Sequence, residues 1–313
     1  MSATLSSGFT RLLAARGSAL IARKDFEDTV RSRMVWAVTG VFVFLMLVIV
    51  TGAATDGSDD GAATDLIPLV VDIGGQLFIP ILALIVGYMA IVGERQSGSL
   101  RVLFGLSYSR WDVFAGKLLS RLGVIAVATL VACLVALGLT LVLIQAFAFS
   151  LLAFFGLTIL LGMVFTSIAV AVSAIADSRM QAMAGAIGSY VVFALFWHPL
   201  VAGVHYLVEG ALPGYDAPNW YFLLLRLSPL EIYTQVSGEV ADQFIWLLVG
   251  WENIVEDIPE ETMQEQNALL LSNRVSGELP VYLQDWTAVP ILLAWIVIPL
   301  AIGYWRFDGA DLN

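Results

Sequence analysis

Residues 147–176 run for thirty positions without one Asp, Glu, Lys or Arg. As a helix this run is about 45 Å long, and roughly 20 apolar residues already cross the hydrocarbon core of a bilayer. Five further runs of this kind lie at about 34–51, 73–92, 122–144, 180–208 and 286–304. The composition agrees: 59% of residues are hydrophobic, only 13% are charged, and the mean hydropathy is +0.87. A soluble domain carries about a quarter charged residues. In lipid every backbone polar group must be satisfied within the chain, and apolar runs of this length satisfy them as helices. The expected fold is an all-α integral membrane protein with six transmembrane helices.

Lys and Arg set the orientation, because loops left on the cytoplasmic side retain them. Six precede the first run, five lie between the second and third, and Arg179 and Arg306 follow, against only Arg226 and Arg274 in the alternate segments. Both termini are therefore expected in the cytoplasm of a prokaryotic plasma-membrane protein. The first apolar run begins after 33 mostly polar or basic residues and is too long for a signal peptide, which also keeps the N-terminus inside. The outer segments are acidic, with thirteen Asp or Glu between Glu209 and Asp285. With a net charge of −11 and only Lys24 and Lys117 as lysines, this suggests a salt-adapted cell or an ordinary acidic ectodomain, and no nucleic-acid partner.

Four parts follow. Residues 1–33 form a cytoplasmic interfacial region, since Leu5, Phe9, Leu12, Leu13, Ala22, Phe26 and Val30 recur at helical spacing opposite Arg11, Arg16, Arg23, Lys24 and Arg31. Such a helix lies flat against anionic lipid. Residues 34–208 hold helices one to five with a cytoplasmic loop at 93–121. Residues 209–285 form the outer segment, expected to be mostly helical: 222–230 broken at Pro229, 244–251 dipping into the leaflet, and 252–273 standing above it. Residues 286–313 hold the sixth helix and a short tail.

Catalytic and metal signatures are missing from the sequence. Cys133 has no second cysteine to pair with. His198 and His205 have no carboxylate at ligand spacing beside them, so packing or interfacial roles are expected. Gly116-Lys117 lacks the earlier glycine of a phosphate-binding loop, and neither H-E-x-x-H nor G-x-S-x-G occurs. The helix centres hold no charged relay of the kind ion-coupled carriers use. Energy for any transport is expected from another chain.

The loop "GERQSGSLRVLFGLSYSRWDVFAGKLLSR" carries five of the 15 Lys and Arg. Ser97-Gly98-Ser99 offers N-caps to a short helix on which Leu100, Leu103 and Phe104 share a face, and Gly105 can end it in the left-handed conformation. Ser109 and Asp112 form a capping box that starts a new helix running through Lys117 and Arg121 into the third span. Apolar knobs flanked by cations suit a groove in a cytosolic partner, although the charges alone fit a solvated positive-inside loop. Glu94 is expected to pair with Arg95, Arg121 or a cation of the partner, or to stand exposed.

The loop, together with "ARKDFEDTVRSRMVW" at 22–36, resembles the permease subunits of ABC-2 type transporters. Their pattern of E-x-x-x-G-[TS]-L, a turn, S-R and then G-K falls on Glu94, Gly98, Ser99, Leu100, Ser109, Arg110, Gly116 and Lys117. "RLSPLEIYT" at 226–234 is similar to the S-P segment that many members carry between helices five and six, while the outer segment is longer than theirs. The resemblance implies that 93–121 is a coupling loop and that the N-terminal region is an elbow helix. It implies an ATP-binding cassette subunit as partner, with ATP and magnesium bound there and no cofactor in this chain. It implies a second permease copy or homologue, with membrane lipid around both. Ala169, Ser173 and Asp177 on helix four, and Gly185 and Ser189 on helix five, could let backbones approach at that dimer interface or within one bundle. The function implied is the membrane path of an ATP-driven transporter, an exporter by preference; the alternative is a membrane scaffold or sensor with an acidic outer binding segment. The family includes drug, lipid and polysaccharide exporters and a permease linked to the copper site of nitrous-oxide reductase, and the residues do not choose among them.

Overall fold

The computed structural model describes residues 17–55, 68, 70–106, 108–144, 150–242, 244–245, 267–275 and 278–310. Six helices among them are long and apolar enough to cross a membrane: Val35–Gly52, Val70–Ser97, Arg110–Val142, Leu152–Ile175, Arg179–Glu209 and Asp285–Asp308.

Helix α1 covers 17–30 and turns at Arg31 and Ser32 into α2, Arg33–Thr55. Helix α3 begins as a π-helical stretch, Val70–Phe78, and continues as an α-helix, Ile79–Gly87. After a turn come two short helices, α4 at Val92–Ser97 and α5 at Ser99–Gly105. Helix α6, Arg110–Leu139, runs on through the π-helical Thr140–Ile144. Helix α7 is Ser150–Ile175, and α8 runs from Arg179 to Glu209 with a π-helical segment at Val192–Phe196. Two helices follow at the opposite end from the α4–α5 loop, α9 at Asn219–Arg226 and α10 at Pro229–Ala241. A single turn, α11 at Leu271–Arg274, precedes the last helix, α12 at Ala288–Asp308.

Helix α7 is the centre of the bundle and packs against α3, α6, α8, α10 and α12. Lipid gives no hydrophobic drive for this packing, so close contact has to come from small residues. A Cβ on Gly87 of α3 would sit 2.6 Å from that of Ala169, and one on Gly162 would sit 2.8 Å from Ile125 of α6. On the far side a Cβ on Gly303 of α12 would come within 2.8 Å of the Ala171 backbone. Phe165, Val164 and Leu161 of α7 are fully buried as a result. Helices α2, α8 and α12 instead expose Phe44, Leu200, Leu207 and Val297, as helices facing acyl chains do.

The small residues of helices four and five work within the chain. Ala169 meets Gly87, Ser173 accepts hydrogen bonds from Ile91 and Val92, and Gly185 lies against Val172, while the Asp177 side chain is 90% exposed.

In the outer segment 219–226, 229–241 and 271–274 are helical, whereas 210–218, 244–245 and 267–270 are turns or irregular, and 246–251 of the stretch expected to dip into the leaflet lie outside the described residues. Pro229 does not simply break a helix: Ser228 caps the amide of Glu231 and Pro229 occupies the first turn of α10, where its missing N–H costs nothing. Tyr233 on α10 is fully buried beside Gly75 of α3 and shares a 3.0 Å hydrogen bond with Thr158 of α7, which anchors α10 in the bundle. Of the helix expected at 252–273, most lies outside the described residues, and 267–270 form a turn. Both cations here are structural. Buried Arg226 donates to the carbonyls of Leu283 and Gln284, and Arg274 covers the Phe222 ring at 4.7 Å.

His198 does have a carboxylate beside it, brought from 33 residues away: its Nε2 lies 3.0 Å from Glu231. Sequence spacing hides this because the two sit on different helices. His205 bonds the carbonyl of Ala211 and stacks on Trp220, a packing role. Among the described residues no three His, Cys, Asp or Glu side chains gather as a metal site.

Candidate functional site

The α4–α5 loop and the start of α6 gather the charges at one end of the bundle. The loop's shape follows from two local devices. Gly98 adopts φ 77°, the left-handed conformation that glycine enters without steric cost, and this ends α4 and turns the chain into α5. The left-handed role expected of Gly105 thus belongs to Gly98; Gly105 stays helical and α5 closes at Leu106 with φ −87°. Neither Ser97 nor Ser99 caps α5 through its side chain; the two hydroxyls lie 2.8 Å apart.

The second device is the capping box. Ser109 accepts from the amide of Asp112, and the Asp112 carboxylate accepts from the amide of Ser109, each at 3.0 Å. The other carboxylate oxygen accepts from Ser18 of α1 at 3.0 Å, so one side chain starts α6 and holds α1.

Four of the loop's five cations bond to this same chain. Lys117 lies between two carboxylates, paired with Asp25 of α1 and at 2.5 Å from Glu94 of α4. Glu94 thus meets Lys117 and not Arg95 or Arg121. Arg121 donates to Thr29 of α1 and pairs with Asp25 at 3.3 Å. Arg95 donates to the carbonyls of Ala174 at 3.1 Å and Ala176 at 2.8 Å, at the carboxyl end of α7. Arg110 donates to the carbonyls of Phe307, Asp308 and Ala310 at the carboxyl end of α12. Helix carboxyl ends leave carbonyls unpaired and carry partial negative charge, so a guanidinium satisfies both needs there. The fifth cation, Arg101, is exposed.

Glycine at 116 has a packing reason. A Cβ there would meet Ile21 of α1 at 2.7 Å, so Gly116 lets α1 cross α6 and brings Asp25 over Lys117. On α1 the innermost stripe is Ser18, Ile21, Asp25 and Thr29, with Ala22, Phe26 and Val30 half-buried beside it and Arg23, Lys24 and Arg31 outside. Residues 1–16 of the expected elbow region lie outside the described residues.

The apolar residues of α5 divide against expectation. Leu100 is 2% exposed and belongs to a core with Ile91, Val113, Phe114, Val170 and Phe307, against which Leu103 and Phe104 are half-buried. These three share a face, but it is turned into the bundle. Val102 and Leu106, four residues apart, are 65% and 64% exposed. Neither they nor Asp25 stood out from the sequence. A second apolar pair at helical spacing on so short a helix was the available signal for Val102 and Leu106.

A six-span bundle whose charged loop is bonded to α1, α7 and α12 at one end is that of a polytopic membrane protein. The chain belongs to the ABC-2 family of transporter proteins, which it matches over residues 19–312. It is 30% identical over 227 residues to the protein of Pseudomonas aeruginosa named probable ABC transporter permease protein NosY, covering 69% of this chain and 80% of that one. The protein of the same name in Stutzerimonas stutzeri is 28% identical over 226 residues, covering 69% and 79%. This chain is a permease subunit of an ABC transporter.

Proposed function

We propose that the α4–α5 loop is the coupling element of an exporter, docking on a separate ATP-binding cassette subunit through Val102 and Leu106, with Arg101 beside them. The observation that carries this is the contrast in α5. One face is consumed by the core, while on the other an apolar pair is exposed beside Arg101. Such a pair fits a groove in a cytosolic partner. The site residues then divide their work. Leu100, Leu103, Phe104, Glu94, Gly98, Ser99, Ser109, Arg110, Asp112 and Lys117 build the frame, and the outward pair touches the partner.

The frame makes coupling mechanical. ATP-driven closure of two cytosolic subunits, with ATP and magnesium bound there, pushes the loops of two permease copies together. Because α5 is seated in the core by Leu100 and flanked by α4 and α6, which Arg95 and Arg110 tie to the ends of α7 and α12, the push reaches the spans as a rigid-body tilt. This reading puts the loop and both termini in the cytoplasm and α1 in the membrane interface, and leaves nucleotide hydrolysis to the partner.

Purification of the chain from its host membranes tests this. An ATP-binding cassette subunit should co-purify and hydrolyse ATP; a preparation with no such subunit and no turnover would contradict it. Orientation has its own check. Single cysteines at Ser58 and Asn267 are expected to react with an impermeant maleimide on intact cells, and one at Ser107 only after lysis; reversed labelling would invert the topology.

A further inference from the structure

Between α1, α2 and α3 lies a cavity of about 270 Å³ with a polar floor and an apolar wall. Asp28, Ser32 and Arg121 contribute to the floor, and Val38, Ile85 and Met89 to the wall. The floor sits at the turn where α1 gives way to α2. With α1 in the membrane interface, as proposed above, the apolar wall faces acyl chains.

The floor carries both signs of charge. Arg121 gives its terminal nitrogens to Thr29 and Asp25, and its Nε is enclosed by protein; the side chain is 15% exposed and lines the cavity. A guanidinium carries five N–H donors, so the terminal hydrogens not spent on Thr29 and Asp25 can serve an acceptor in the cavity. Asp28 is exposed at the same floor and lies four residues before Ser32, both of them acceptors for a primary amine.

We infer that this cavity holds one phospholipid with a primary-amine headgroup. Its phosphate oxygen accepts from Arg121, its ammonium donates to Asp28 and Ser32, and one acyl chain lies along Val38, Ile85 and Met89. A quaternary ammonium cannot donate to Asp28, and an anionic glycerol headgroup leaves the carboxylate facing a phosphate with no cation between. The inference rests on the floor and wall of the α1–α3 cavity. It is independent of docking at Val102 and Leu106, so either can fail alone.

Native mass spectrometry on the delipidated full chain, titrated with dioleoyl-phosphatidylethanolamine, -phosphatidylcholine or -phosphatidylglycerol, tests it. One phosphatidylethanolamine per chain should be retained about tenfold more tightly than either other lipid, the scale of one hydrogen bond to a charged group. Asp28→Asn, at an exposed position, should abolish that preference while keeping lipid bound. Val38→Trp, which fills the cavity, should lose all three lipids, and Ile85→Phe gives the same readout from the opposite wall. Equal retention of the three lipids, preference for phosphatidylglycerol, no retained lipid, or undiminished binding in folded Val38→Trp or Ile85→Phe would overturn the inference.

Discussion

Replacing Lys117 by Met is expected to cost the chain about 3–5 kcal/mol, because removing one member of a buried ion pair leaves its partner charged and unmatched. Here Glu94 loses the cation it pairs with, while Asp25 keeps Arg121 at 3.3 Å, so the lower end of that range is expected. The Lys117 side chain is 7% exposed and Asp25 10%, so solvent does little to replace the bond; Glu94, at 25%, is partly rescued by water. The loss would be read as a fall in the temperature at which the detergent-solubilised chain leaves its monodisperse peak. Neutralising the carboxylates together with the lysine, in the triple variant Asp25→Asn, Glu94→Gln, Lys117→Met, should recover much of it. Uncharged replacements of a buried ion cluster are often close to neutral, and Arg121 keeps Thr29. A single Lys117→Met variant as stable as the native chain would mean that α1 is not held by this cluster.

The second large effect is on assembly and should leave folding intact. Val102→Ser together with Leu106→Ser removes two exposed apolar side chains, each worth roughly 1.5–3 kcal/mol when fully buried by a partner. Affinity for the ATP-binding subunit should fall by about a hundred- to ten-thousandfold, with thermal stability unchanged because neither side chain packs in the core. The opposite pattern is expected of Phe104→Ser, which opens the core around Leu100, Phe114 and Phe307 and lowers stability. Equal loss of partner and stability in both variants would blur the division of α5 into two faces.

Much of this architecture is written in the sequence because the bilayer permits so few solutions. An uncharged run such as 147–176 has to be a buried or spanning helix, and its Ser150–Ile175 part is α7, the centre of the bundle. The capping box at Ser109 and Asp112 was equally legible, since its two partners stand three residues apart and need no tertiary context. What stayed hidden depends on contacts across the fold. Asp25 and Lys117 are 92 positions apart, and nothing local tells an aspartate on an amphipathic helix that it will lie under a lysine of another. The loop's cations read as flanks of docking knobs or as a solvated positive-inside loop, because periodicity does not reveal helix carboxyl ends arriving from 79 and 197 residues away. In α5 the sequence offers two apolar stripes, Leu100, Leu103 and Phe104 or Val102 and Leu106. Which one faces inward is decided only when α7 and α12 close over it. The left-handed turn expected at Gly105 falls instead at Gly98, because the chain turns between α4 and α5.

Photo-crosslinking addresses the outward face directly. With p-benzoylphenylalanine at position 102 or 106 of the full chain in native membranes, irradiation should yield an adduct with an ATP-binding cassette subunit, identified by mass spectrometry, and the same residue at 103 should yield none. Adducts from 103 and none from 102 or 106 would contradict the account, and the loop would have to be turned over.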